Sequence, residues 1–163
     1  MSDAKHILVV DDEEDVRDTL SSVLESLNYI PYTAASGEEA LKILQEKDID
    51  VVLSDLYMPE MDGIQLLKKV RAIDSKVIFM MITAHPTIET AVDAIKKGAY
   101  DYLTKPFHIE EVRLKINRAL EAKGLSHSVK TANGVIWGLI ISIPIWLLLG
   151  IWLAYLIKWY LTK

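Results

Sequence analysis

Three residue types that could do chemistry sit where apolar runs end. Asp11 and Asp12 follow directly on His6–Val10, and Asp55 follows the run 50–54. Thr83 comes after a third run, 76–82, and Lys105 comes just after a fourth, 100–103. If these ends share one edge of a sheet, three carboxylates converge there, and carboxylates resist ionising side by side. A hard divalent cation relieves that repulsion, and Mg2+ suits a few carboxylates combined with waters and phosphate oxygens. The Thr83 hydroxyl and the compact Lys105 ammonium would complete the crevice. Such a set can bind Mg2+ and a phosphoryl group together.

The elements needed to place these residues are legible in the hydrophobic pattern. Unbroken apolar runs of about five residues suit strands buried on both faces of a parallel sheet. Strands are expected over 6–10, 30–34, 50–54, 76–82 and 100–103. Between them the spacing predicts helices over 13–28, 64–73 and 87–97, the last stopped by Gly98. Another helix should start at Ser36, with Glu39 completing a capping box, and bury Ala40, Leu41, Ile43 and Leu44. A final helix is expected over 109–122. Five β-α units with short connections imply an α/β domain with a parallel sheet covered on both faces. In such sheets ligands bind beyond the carboxyl ends of the strands.

Charge and composition narrow the function further. All 23 acidic residues and 15 of the 18 basic ones lie in the first 124 residues, a net of −8, and the remainder carries +3. An acidic domain argues against nucleic acid as a direct partner, since phosphate backbones are bound by clustered cations. There is no cysteine, so disulfides and thiolate metal sites are excluded. The N-terminus lacks a charged stretch followed by an apolar one, so no signal peptide is expected.

After Ala122 the composition shifts. Residues 123–133 read as a polar linker. From Val135 to Ile157 there is no charged residue, and at about 1.5 Å per residue this stretch would be roughly 34 Å long, enough for a hydrocarbon core of about 30 Å. The expected organisation is a domain over 1–122, a linker over 123–133, a transmembrane helix over 134–160 and a terminus over 161–163. Trp137 near one end, with Trp159 and Tyr160 near the other, fit interfacial anchors contacting membrane lipid. Lys115, Arg118, Lys123 and Lys130 precede the span, against Lys158 and Lys163 after it, which keeps the domain cytoplasmic. Gly134, Gly138, Ser142, Gly150 and Ala154 fall on one i, i+4 ridge broken by Trp146, a spacing suited to self-association or an integral membrane partner.

The stretches Val-Val-Asp11-Asp12-Glu, Leu-Ser-Asp55-Leu-Tyr-Met-Pro59-Glu-Met-Asp-Gly63, Ile-Thr83-Ala84 and Leu-Thr-Lys105-Pro106-Phe resemble the response-regulator receiver family of two-component systems, and the stretch from Ile82 to Phe107 resembles receivers of the nitrogen-regulator type. The resemblance covers about residues 4–122. It implies a flavodoxin-like, doubly wound five-stranded sheet in the order 2-1-3-4-5 with five helices. By the same resemblance, Asp55 is the phosphoacceptor, taking a phosphoryl group from a histidine kinase or histidine phosphotransfer protein. Mg2+ is held by Asp11, Asp12, Asp55 and the backbone carbonyl of Tyr57. Lys105 neutralises a phosphoryl oxygen, the peptide to Pro106 is cis, and Thr83 and Tyr102 form a switch. The ATPase and DNA-binding domains that usually follow such receivers have no counterpart here.

The function expected from the sequence is therefore a phosphoacceptor receiver in a phosphorelay, tail-anchored in the bacterial cytoplasmic membrane and not a turnover enzyme. The alternative is a structural adaptor subunit of a membrane complex with vestigial phosphorylation chemistry.

Overall fold

The computed structural model describes residues 4–124 together with 152, 158 and 159. The chain divides into two compact units, Met1–Glu121 and Ala122–Lys163. In the first, strands and helices alternate in chain order: β1 (His6–Val10), α1 (Glu14–Ser26), β2 (Ile30–Ala34), α2 (Gly37–Glu46), β3 (Val51–Asp55), α3 (Gly63–Ile73), β4 (Ile78–Thr83), α4 (Ile88–Lys96) and β5 (Asp101–Thr104). A last helix, α5, covers residues 109–124.

The five strands are parallel and ordered β2-β1-β3-β4-β5. This is the expected flavodoxin-like order. Successive residues of each strand point to opposite faces, so the apolar runs split into two cores. Leu8, Val10, Val52, Phe79 and Met81 pack with Leu66, Leu67, Val70 and Ala94 on one face. Ile7, Val9, Leu53, Met80 and Ile82 pack with Leu20, Leu24, Val112 and Ile116 on the other. Burial on both faces is why the central strands β1, β3 and β4 read as unbroken apolar runs, whereas the edge strands β2 and β5 are only partly covered.

The helix starts refine the sequence reading. Ser36 does cap α2, accepting the Glu39 N–H at 3.3 Å, but the Glu39 carboxylate takes the N–H of Ala35 at 2.8 Å, one residue before the cap. True capping boxes occur instead at Asp62 with Gln65 on α3 and Thr87 with Thr90 on α4. Gly98 ends α4 with φ +102, a backbone conformation that disfavours a side chain.

The helices differ sharply in how firmly they are held. α3 buries Gly63, Leu66, Leu67 and Val70, whereas α4 buries only Ala94 and leaves Ile88, Val92 and Ile95 exposed. A helix with so little buried apolar surface opens at low cost. Amide hydrogen exchange should therefore run at least tenfold faster across the interior of α4 than across that of α3. Equal protection of the two would contradict this packing argument.

Among the described residues, no helix is long and apolar enough to cross a membrane. The expected span 134–160 lies outside the described residues apart from Trp152, Lys158 and Trp159, which are helical, with both tryptophans exposed. Gly134, Gly138, Ser142, Gly150 and Ala154 lie outside them too, as does the linker from residue 125 onward. Residues 123 and 124, expected in the linker, are helical.

Candidate functional site at the carboxyl edge of the sheet

Because β1 and β3 pair directly, with Val10 opposite Ser54, the residues that follow them meet at one edge. Asp11, Asp12 and Asp55 each bring a carboxylate oxygen within 4.8 Å of the others. Asp11 is fully buried and Asp55 is 7% exposed, while Asp12 faces solvent. Local hydrogen bonds aim the two buried groups. The Leu56 N–H donates to Asp55 Oδ1 at 2.7 Å, and the Glu13 N–H donates to Asp11 Oδ1 at 3.0 Å.

The oxygens left over face Lys105. Its Nζ lies 2.6 Å from Asp11 Oδ2, 3.2 Å from Asp55 Oδ2 and 3.6 Å from the exposed Glu13 carboxylate. Lys105 follows β5, and its own N–H donates to the Thr83 carbonyl at 2.8 Å. The Lys105–Pro106 peptide is cis. The electrostatics follow from this crowding. Burial pushes the Asp55 carboxyl up, the Lys105 charge and hydrogen bond pull it down, the Asp11 charge pushes it up again, and the net result lies above the usual carboxylate value. Burial works to lower Lys105, but the hydrogen bonds and charges of Asp11 and Asp55 together outweigh it and raise the ammonium above its ordinary value. One cation thus serves two buried anions, and a net negative charge remains at the edge.

That surplus and the ligand chemistry fit Mg2+. Three carboxylates, two from the loop after β1 and one from the end of β3, offer hard oxygen ligands, and the exposure of Asp12 leaves room for the waters that this ion retains. Tyr57 lies two residues beyond Asp55 with its side chain 56% exposed.

Thr83, the last residue of β4, is buried, and its Oγ1 accepts the N–H of His85 at 3.1 Å. It lines a small apolar cavity of about 10 Å³ together with Leu56, Ala91, Ala94 and Tyr102. Tyr102 stands on the edge strand β5, partly exposed. A cavity of this size holds about one water, so the phenol ring cannot enter it as it stands.

Two supports of the site were not foreseen from sequence. The Arg17 guanidinium on α1 donates from one nitrogen to the carbonyls of Asp11 at 2.8 Å and Asp12 at 3.1 Å, pinning the loop that carries both acids. Gly63, the first residue of α3, packs directly against the backbone carbonyl of Asp55. Arg17 has no signal in a single sequence, since an arginine in a first helical turn is ordinary, and Gly63, though part of a stretch that carries the resemblance, reads there only as turn chemistry.

Residues 7–117 match the family model described as the response regulator receiver domain. The chain is 35% identical over 147 residues to the regulatory protein AtoC of Escherichia coli, covering 87% of this chain and 32% of that one. It is 40% identical over 121 residues to a putative NtrX-like response regulator of Rickettsia bellii, covering 73% of this chain and 25% of that one. The chain thus spans a third or less of the length of these curated relatives. Among solved structures, NtrX from Brucella abortus in complex with ADP superposes with a TM-score of 0.75 at 35% identity, over 78% of this chain and 30% of that one. Vibrio cholerae CheY4 superposes with a TM-score of 0.69 at 32% identity, over 72% and 99%. With the sheet order, the acidic edge and these likenesses in agreement, the chain belongs to the response regulator receiver domain family.

Proposed function

We propose that this chain accepts a phosphoryl group on Asp55 from a phosphohistidine of a histidine kinase or phosphotransfer protein. The observation that carries this reading is a triad of carboxylates, only partly neutralised by one ammonium, Lys105, at a sheet edge open to solvent at Asp12. In the step itself an Asp55 carboxylate oxygen forms a bond to phosphorus as the P–N bond of the donor breaks. The bonding pair returns to the imidazole nitrogen, and an aspartyl phosphate results. Lys105 is placed to move its hydrogen bond from Asp55 to a phosphoryl oxygen. Asp11, Asp12, Asp55 and the Tyr57 carbonyl would hold Mg2+, which when bound supplies positive charge against the anionic transferring group.

The output follows from electrostatics and packing. Phosphorylation replaces a monoanion by a dianion with new acceptor oxygens, which attract the Thr83 hydroxyl. If Thr83 turns toward them, the cavity behind it enlarges and Tyr102 can turn inward, altering the face formed by α4, β5 and α5. The chain acts once per phosphoryl group, as an acceptor and not as a turnover enzyme. The uncharged stretch Val135–Ile157 supports placing it at the cytoplasmic face of a bacterial inner membrane, contacting lipid and, through the small residues of that stretch, a second copy or an integral membrane partner.

Incubation with Mg2+ and acetyl phosphate tests the reading. An adduct of about 80 Da should appear in the intact mass, and Asp55→Asn should abolish it. An adduct that persists in Asp55→Asn would assign the chemistry to another residue. Alkaline carbonate extraction of membranes tests the anchor, which requires the chain to stay in the pellet.

A further inference from the structure

The contacts around Tyr102 form a closed set that the phosphoryl chemistry does not use. Asp101 Oδ1 accepts the N–H of Tyr102 at 2.7 Å, and Asp101 Oδ2 holds the Lys115 ammonium at 2.7 Å. That ammonium lies over the Tyr102 ring, 5.6 Å from its centroid. One carboxylate therefore fixes both the backbone that carries the ring and the cation that attracts the ring's face. A cation over an aromatic face is stabilising, more so where both are partly withdrawn from water. The Lys115 and Asp101 side chains are only 23% and 31% exposed. The contact is made with the ring in its present position, at the border of the cavity it lines with Thr83 and not inside it.

We infer that Lys115 is a positioning residue that latches Tyr102 outward and so opposes the phosphorylated state. This rests on the phosphoacceptor reading of Asp55 and extends it to a residue on α5, 60 positions along the chain from Asp55. A contact made in only one of two states lowers the apparent affinity of any ligand that favours the other state. Losing the cation should therefore tighten the binding of a phosphoryl mimic without touching the mimic's own contacts. The effect should be confined to proteins that carry the Tyr102 ring.

The test is calorimetric titration of the 163-residue chain with beryllofluoride in excess Mg2+. Lys115→Met and Lys115→Gln should each bind about threefold tighter than the unaltered chain, the scale of one partly exposed cation–aromatic contact. Lys115→Arg, which keeps the cation, should bind within twofold of it. In a Tyr102→Leu background, Lys115→Met should leave the affinity unchanged. A purely structural role for Lys115 would lower thermal stability but would not produce this dependence on the Tyr102 ring. Equal affinity of the unaltered chain and both neutral variants, or equal tightening in the Tyr102→Leu background, overturns the latch alone. Failure of the unaltered chain to bind beryllofluoride overturns the phosphoacceptor reading and the latch with it.

Discussion

Replacing Lys105 by methionine should cost about 3 kcal/mol of folding stability at neutral pH without metal, a large part of what a domain of this size possesses. Methionine keeps most of the unbranched stem and removes the ammonium. Asp11, fully buried, and Asp55, nearly so, would then face each other with no cation between them. The pH dependence separates this account from a simple packing defect. Asp55 already ionises above the usual carboxylate range because of burial, and losing Lys105 moves it further up. For an acid whose folded-state value is raised, the stability penalty is fully present above that value and disappears as pH falls through it. Lys105 itself ionises above its ordinary value, so its contribution to the unaltered chain is constant below neutrality and is lost only in alkali. The deficit of the variant should therefore shrink on going from pH 7.5 to pH 5. It should also shrink when Mg2+ is added, because acids freed of the competing Lys105 ammonium bind the ion more tightly and so gain more stability from it by mass action. Urea denaturation under these conditions reads the result. Phosphoryl uptake should fall at least a hundredfold in the same variant, the scale of losing one placed electrostatic donor. A pH-independent loss would point to packing instead.

The second large effect is predicted for Gly63→Ala. In a helix, alanine usually gains about 0.5–1 kcal/mol over glycine. Here a Cβ would stand 2.3 Å from the Asp55 carbonyl oxygen and 3.1 Å from the Leu56 Cα. Neither neighbour is a flexible side chain, so the start of α3 must move away from β3. The Gly63 N–H donates to the Leu56 carbonyl at 3.0 Å, and the Leu56 N–H orients Asp55 Oδ1, so the shift would reach the carboxylate itself. We expect a net loss of about 2–3 kcal/mol, together with slower phosphoryl uptake. Gly37→Ala provides the control. Its Cβ would meet the Met61 side chain, 2.7 Å from the sulfur, and a thioether can move aside. That variant should lose less than about 1 kcal/mol. Equal losses at the two glycines would contradict the distinction between rigid and yielding neighbours.

Continuous burial made β1, β3 and β4 legible in the sequence, and β2, only partly buried, was legible from its short apolar run between the flanking helices. The runs 6–10 and 30–34 coincide with their strands, and the other three strands sit within one or two residues of their expected positions. A strand buried on both faces carries few polar residues before its last turn toward the edge, so its carboxyl end is marked by polar side chains such as Asp55 and Thr83. That is also why Asp11, Asp12, Asp55, Thr83 and Lys105 could be picked out before their distances were known. What could not be read depends on contacts distant in sequence. Lys105 was expected in the crevice, but its direct bridge to Asp11 spans 94 positions and the Lys115–Tyr102 contact joins two elements, and neither contact leaves a periodic trace. The weak hold on α4 was hidden for a different reason. Ile88, Val92 and Ile95 look like core residues in composition, yet the helix presents them to solvent. A pattern of apolar residues indicates a face, and only the packing reveals whether the face is covered.

The most direct test of the account is to locate the phosphoryl group. The chain would be incubated with acetyl phosphate over a Mg2+ titration, the acyl phosphate trapped by borohydride reduction, and the modified peptide sequenced by mass spectrometry. The account predicts a single modified residue, Asp55, whose labelling saturates with Mg2+ and disappears in excess EDTA. Labelling at another residue, labelling indifferent to EDTA, or no labelling at any Mg2+ concentration would contradict it.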